Sequence, residues 1–444
     1  MRIAERVPRP SPRAILGAAL ALFLIYAWPG FIGWDTREHV LQARSGIYTD
    51  GHPPAVAHLV RLAELAVTGP ALLLLFQAIT LLAGLYMLLS SRLRRRSAAI
   101  AAAAIFLFPY ISGVTAVIAK DSLMAGPLVI GIALLCDDRP RSRWLALACF
   151  AFASLMRWNA FVVTFAPMLL LFRWSPSVTG IRRYAIAVVV WIGVSLAAHG
   201  ANELMTTQRE YLWYWSFAYE DIAGTLANMA PQDDAAMTEL LDGMPLRVHD
   251  HVYDRLAAIY NPASHYHLMR GPARPFDIAK DQTERDAIAA AWKRVVLAHP
   301  AAYFAYRVDS YRLLLGIDRG PSFSNVYIWF TVIAAPETIA ELGHDAAPSR
   351  LQDALRRASV WISLTPLYYT YLYFGLLLLL LPVVLRFRLE AALALSALAY
   401  EVQWFVLAAT SDLRYSQWMV LCTLVLVVLV GTRLRRALLR RRGV

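Results

Sequence analysis

Cysteine is scarce in this chain, charge is sparse, and the usual nucleotide and nucleophile signatures are missing. Its 444 residues include three cysteines, Cys136, Cys149 and Cys422. All three lie in or beside hydrophobic segments and none has metal-ligand spacing. That excludes a disulfide framework and leaves buried apolar thiols. No phosphate-binding glycine loop, nucleophile elbow or zinc-protease helix occurs, so nucleotide-driven transport finds no support. Internal repeats and low-complexity linkers are also lacking. What remains is apolar: 59% hydrophobic residues against 17% charged. Apolar runs of membrane-spanning length recur, more than a soluble core can hide. Backbone polar groups in lipid must be satisfied internally, so the spans are read as helices. The fold class is an all-α polytopic membrane protein.

The net charge of +12 does not indicate nucleic acid, because the arginines gather at the ends of hydrophobic segments. There they act as topology signals and as contacts for anionic membrane lipids. Arg2, Arg6, Arg9 and Arg13 precede the first apolar run and read as an uncleaved signal anchor. Further clusters stand at 92–96, 139–143, 173–183, 386–388 and 433–442. Placing all six in the cytoplasm requires an even number of spans between neighbouring clusters. About ten transmembrane helices satisfy this: 14–32, 70–90, 97–118, 122–136, 144–156, 160–172, 184–200, 360–385, 391–409 and 416–432. The tempting extra span at 53–67 reaches only about 22 Å at 1.5 Å per residue, short of the roughly 30 Å hydrocarbon layer. His58, Arg61 and Glu64 recur along it at helical spacing, so it is expected to lie in the interface, with Pro53 and Pro54 in its first turn. The organisation is then an N-terminal transmembrane module (1–200) with a first outer loop (33–69), a mainly helical extracytoplasmic region (201–358) and a C-terminal transmembrane module (359–444).

The polar tips carry the chemistry. Asp35, His39 and Gln42, spaced i, i+4, i+7, share a helix face. Asp35 can serve as an N-cap or as a general base, and the two roles are compatible. Lys120-Asp121 sits between two hydrophobic stretches, as a hairpin cap or as a site held at membrane depth. Arg157-Trp158-Asn159 interrupts an apolar stretch in the same way, with Arg157 either snorkelling or functional. Asp412-Leu413-Arg414-Tyr415 is a third tip, whose Asp–Arg pair can neutralise itself. Together Lys120, Arg157 and Arg414 form a set of outer-face cations suited to a phosphate, the arginines as forks and the lysine as a point charge. His52, beside Pro53, can orient a substrate hydroxyl or merely cap a turn. Glu220-Asp221 form a charged turn with access to a site or to solvent. His249, Asp250 and His251, with Asp254 beyond, have the residue types for a metal without a known pattern. Tyr211 to Trp215 reads as an aromatic belt or a sugar-stacking platform.

This layout resembles the membrane glycosyltransferase superfamily with the C-type (GT-C) fold. The resemblance rests on Trp34-Asp35 after the first span, Gly51-His52-Pro53-Pro54, Lys120-Asp121-Ser122-Leu123, Arg157-Trp158-Asn159 and Arg414-Tyr415. In pattern it is closest to the bacterial mannosyl- and arabinosyltransferase-like branch. The resemblance implies a polyprenyl-phosphate sugar donor, a lipid, glycan or protein acceptor, and reaction on the extracytoplasmic face of the cytoplasmic membrane. It implies catalytic roles for Asp35 and Asp121. Substrate contacts are expected from His39, His52, Lys120, Arg157, Asn159, Glu220, Asp221, Arg414 and Tyr415. Asp35 is followed by Thr36-Arg37 rather than by a second acid, so that acid must be Asp121 or Glu38. The metal requirement stays open, with a divalent cation as the one cofactor admitted. The expected activity is an inverting sugar transfer to a hydroxyl. The alternative is a transporter or flippase for a lipid-linked or anionic substrate, which calls for polar residues through the membrane midplane.

Overall fold

The computed structural model describes residues 10–317 and 349–441, with the side chains of Tyr266 and Arg356 excepted. Arg2, Arg6, Arg9, Arg442 and the 318–348 part of the expected outer region lie outside the described residues. The described chain is mostly helical and has no β-strand, only isolated backbone bridges. Ten helices make up its first half: α1 (Pro12–Ala27), α2 (Trp34–Ser45), α3 (Pro54–Glu64), α4 (Ala71–Ser90), α5 (Arg95–Phe106), α6 (Pro109–Ala116), α7 (Lys120–Leu135), α8 (Pro140–Met156), α9 (Ala160–Leu171) and α10 (Gly180–Met205). Four helical stretches are long and apolar enough to cross a membrane: Ala71–Ser90, Gly180–Met205, Arg388–Leu407 and Leu413–Arg440. The bent pair α5–α6 makes a fifth if counted as one span.

Proline sets where the apolar runs break. The run expected at 97–118 bends by 66° between α5 and α6, where Pro109 opens a new helix. The run expected at 360–385 divides into Arg350–Ser363 and Thr370–Val384, with Pro366 starting the short turn between them. The first of these helices begins inside the region expected to be outer loop. Helix α10, at 26 residues, is longer than the 184–200 span read from hydropathy. Helix α3 has 11 residues, about 16 Å at 1.5 Å per residue, too short to cross. It packs beside α2, with a two-pronged Arg44–Glu64 pair (2.7 and 3.0 Å) tying the ends of the two helices.

Small residues let the central helices approach. A Cβ on Gly126 of α7 would stand 2.8 Å from the Leu81 backbone nitrogen of α4. One on Gly84 of α4 would stand 3.1 Å from the Ile130 nitrogen of α7. Without a hydrophobic drive in lipid, such close backbone contact is what packs helices together. The C-terminal helices join the same core: Ser396 donates to the Val163 carbonyl of α9 (2.5 Å) and accepts from the Trp418 indole (3.0 Å). A second, smaller core forms between residues 214 and 295 around Tyr219, Ile222, Leu256, Phe276, Ile288 and Val295. There Tyr219 stacks on Phe276 with centroids 4.4 Å apart.

The backbone between α6 and α7 is extended, and buried polar groups there need partners. Each is found. Phe31 N–H donates to the Ala116 carbonyl and Ile118 N–H to the Phe31 carbonyl, both at 2.9 Å. Gln77, fully buried on α4, donates to the carbonyls of Thr115 (2.6 Å) and Val117 (2.9 Å). Thr36 donates to the Ile118 carbonyl at 2.5 Å and accepts from Gly33 N–H at 3.1 Å. These bonds place the start of α2 directly against the start of α7. Replacing Gln77 with leucine orphans two buried carbonyls. At about 1–3 kcal/mol for each unsatisfied group, we expect a loss of ~2–6 kcal/mol, measured by reversible unfolding in mixed micelles.

Candidate functional site

Asp35 lies in the first turn of α2, where the N-terminal helix dipole favours a carboxylate. It is not the N-cap. Gly33 occupies that position and Thr36, not Asp35, bonds back to it. The Asp35 carboxylate is therefore left to other partners. Oδ2 receives Arg414 Nη1 at 2.8 Å and Lys120 Nζ at 3.0 Å, while Oδ1 faces His52 Nε2 at 3.7 Å. The group keeps a small opening to solvent: the side chains of Asp35, Lys120 and Arg414 are 15%, 11% and 13% exposed.

Protonation follows from these contacts. Lys120 Nζ lies 2.8 Å from His52 Nδ1. An ammonium can only donate, so Nδ1 accepts and the imidazole proton resides on Nε2, toward Asp35. Burial, followed by the Lys120 charge, pulls the His52 pKa down to about 3, leaving it neutral at working pH. His39, one turn beyond Asp35, is held neutral by burial and by His52. It packs edge-on to His52 at 5.1 Å. Both His39 ring nitrogens are buried without a hydrogen-bond partner, an uncommon state that marks it as a functional candidate. For Asp35, burial raises the pKa, but Arg414 and Lys120 outweigh it and hold the carboxyl well below its usual range. For Lys120, burial dominates over the pull of Asp35 and lowers the pKa to about 8.

The remaining tips join through Arg414. Its Nε contacts Asp412 Oδ2 at 2.8 Å and approaches Asp121 Oδ2 at 3.8 Å. Asp121 in turn is paired with Arg157, both nearly inaccessible. Arg157 also donates to Asn159 Oδ1 at 3.0 Å. Its guanidinium lies over Trp404 (4.8 Å), Tyr415 (5.2 Å) and Tyr400 (5.9 Å), and Trp404 and Tyr415 stack on one another. Arg157 is thus enclosed, whereas Lys120 and Arg414 border the opening. So Asp35, His39, His52, Lys120, Asp121, Arg157, Asn159, Arg414 and Tyr415 come together.

Glu220 and Asp221 do not sit on a solvated turn. Both are buried in the Ala218–Ala227 helix of the second core. Asp221 takes Arg307 and the Trp292 indole (2.9 Å), and Glu220 has no partner on either oxygen. Glu38 is only half-buried and makes no contact of this kind with Asp35. At the His249–His251 stretch, Asp250 pairs with Arg255 at 3.0 Å and His251 opens a helix in the left-handed region at φ 48°. Among the described residues no three His, Cys, Asp or Glu side chains are grouped to hold a metal. Nor does the Asp35 site fit a divalent cation, since its carboxylate already faces two fixed positive charges.

Sequence reading passed over Trp404, Tyr400 and the role of Asp412. Tyr400 and Trp404 are spaced i, i+4 and so share a helix face, a signal that hydrophobic composition obscures. Comparison with protein-family models, with curated proteins and with solved structures finds nothing that matches this chain. The reading of function therefore rests on the site itself. Removing one member of a buried ion pair costs about 3–5 kcal/mol. We expect that loss for Arg157→Met in micelle unfolding, and partial recovery when Asp121→Asn is added.

Proposed function

We propose that this protein is an integral-membrane glycosyltransferase that moves a sugar from a polyprenyl-phosphate donor to a hydroxyl acceptor at the outer membrane surface. The observation that carries the proposal is one partly open carboxylate, Asp35, shared by a lysine, an arginine and a neutral histidine at the mouth of a helical bundle. That set contains a base, an electrostatic clamp and a hydroxyl-orienting group. In the reaction the acceptor O–H proton passes to Asp35 as its oxygen attacks the anomeric carbon. The bond from that carbon to the phosphate oxygen breaks on the opposite face, and the electron pair leaves with the phosphate. Lys120 and Arg414 stabilise the growing negative charge. The sugar carbon inverts.

A carboxylate held far below its usual pKa is a weak base. The donor phosphate resolves this: it competes for Lys120 and Arg414, and each cation drawn from Asp35 raises the basicity of that carboxylate. Asp35 is then unmasked only when a donor is present, which guards against idle hydrolysis. His52, neutral and half-buried, is placed to orient a hydroxyl, and His39 packs edge-on behind it.

The topology proposed for this enzyme has about ten spans with the basic clusters inside. Contacts at the far end of the bundle support it. Arg436 donates to the Arg92 carbonyl (2.7 Å), Arg433 pairs with Glu390 (2.7 Å), and Arg143 reaches the Arg173 carbonyl (3.1 Å). Helix α7, with Lys120 at one end, runs 16 residues, about 24 Å, toward that side. The ionisable tips gather at one face instead of spreading through the midplane, which favours surface chemistry over passage.

Two outcomes test the proposal. Asp35→Asn in correctly folded protein should lower transfer from polyprenyl-phosphate sugars at least a hundredfold, and undiminished turnover would remove Asp35 from the mechanism. Lys120 acts as a cation, so kcat/KM, which reports groups of the free enzyme, should fall as pH rises through about 8. Lys120→Arg keeps its charge and should move that limb upward, while no acid limb near pH 6.5 should arise from His52.

A further inference from the structure

The helix Arg350–Ser363 turns an apolar face away from the bundle. Its start is set locally by a capping box, in which Gln352 N–H donates to Ser349 Oγ (3.2 Å) and Ser349 N–H to Gln352 Oε1 (3.0 Å). Leu351, Ala354, Ala358 and Trp361 follow at i, i+3, i+7 and i+10, within an arc of about 80° at 3.6 residues per turn. All four are exposed, Trp361 to 77%. Arg350 and Arg357, also exposed, fall directly beside this arc, and Arg357 pairs with Asp353 one turn back. The other side of the helix faces the protein. Gln352 Nε2 donates to the Trp28 carbonyl (2.7 Å), and Val360 and Ile362 pack against the main core. Trp28 closes α1, and Phe31 just beyond it is bonded to the backbone at Ala116 and Ile118. The helix therefore sits at the end of the bundle that holds Asp35.

What covers the apolar face follows from its surroundings. The stripe runs on through exposed Leu364 and Leu367 into Thr370–Val384, where Leu372, Leu376 and Leu379 are exposed as well. Beside it, α1 exposes Leu22, Ile25 and Trp28. The face is thus continuous with the apolar outer walls of two helices of the bundle, whose neighbour is lipid. A leucine and tryptophan face edged by arginine suits the boundary between headgroups and acyl chains. The crossing expected at 360–385 then falls to the residues from Pro366 to Leu385, about 20 in number and about 30 Å long, enough for the hydrocarbon layer.

We propose that Arg350–Ser363 lies along the membrane surface at the Asp35 end of the bundle, with Leu351, Ala354, Ala358 and Trp361 seated in the upper acyl chains of that leaflet. The contact is with lipid and stands apart from the transferase reading. It also reaches the site. Tyr368, just past the helix, donates to the Pro109 carbonyl (2.9 Å) and stacks on Tyr110. The Tyr110 hydroxyl donates in turn to the Leu413 carbonyl (2.6 Å), next to Arg414. Seating the helix in lipid thus sets the depth of the loop that presents Arg414.

The test uses the full chain in phosphatidylcholine nanodiscs, with Cys136, Cys149 and Cys422 replaced by alanine. A spin label is attached through Leu351→Cys, Ala354→Cys, Ala358→Cys or Trp361→Cys, and collisions with oxygen and with a water-soluble nickel chelate give its depth. Oxygen should reach all four labels more readily than the chelate does, and Arg357→Cys should report a position nearer water. Ten residues of a crossing helix rise about 15 Å, so the depths at 351 and 361 should differ by less than half of that. A difference equal to the full rise overturns the proposal by making the helix a span. Ready access of the chelate to all four labels overturns it in favour of solvent, and loss of both collisions in favour of a second copy or another protein. If the cysteine-free chain does not fold, the native chain serves, with quenching of tryptophan fluorescence by brominated phosphatidylcholine. Trp361→Phe should then remove a component quenched more strongly by bromine high on the acyl chain than by bromine near its end. A component quenched equally by both, or by neither, overturns the proposal.

Discussion

The arrangement depends on three residues of extended backbone, 117–119, inserted between two apolar helices. Such backbone is tolerated in a bundle only when its amides and carbonyls are answered. Here the answers come from two other parts of the chain, Phe31 and Thr36 on one side and Gln77 on the other. The result fixes two helix starts side by side and brings Lys120 onto Asp35. A continuous helix through this region would need none of these bonds and would leave the start of α2 untethered.

Charge at the site is balanced. Three carboxylates, Asp35, Asp121 and Asp412, meet three cations, Lys120, Arg157 and Arg414, within one chain of contacts. Balance keeps the desolvation cost of burying six charges tolerable. The three pairs are not equivalent, however. Arg157 and Asp121 are sealed beneath aromatic rings, whereas Asp35, Lys120 and Arg414 retain access. Arg414 is held by Asp35 and Asp412 at 2.8 Å each and reaches the enclosed pair only at 3.8 Å from Asp121, so the open trio stands at the edge of the sealed part of the network.

Much of this was legible in the sequence, for identifiable reasons. Charged residues interrupting apolar runs are costly, so Asp35, Lys120, Arg157 and Arg414 stood out without any structure. Helical periodicity and the two prolines at its start identified the short helix α3. Other features were hidden. Gln77 reads as an ordinary polar residue within a hydrophobic span, because its purpose is defined by carbonyls about 40 residues away in the chain. The aromatic box around Arg157 uses residue types that any membrane helix contains. Glu220 and Asp221 read as a solvated turn, since nothing local reveals that Arg307, 86 positions on, covers them. Long-range pairing is what periodicity cannot encode.

Arg307 also has a second attachment. While gripping Asp221 inside the second core, it donates to the Ala408 carbonyl at 2.8 Å, at the head of the segment leading to Arg414. One side chain thus acts as a strut between that core and the 409–414 loop. Any shift of the helices around Asp221 must drag on that loop, so the two are mechanically geared through a single guanidinium.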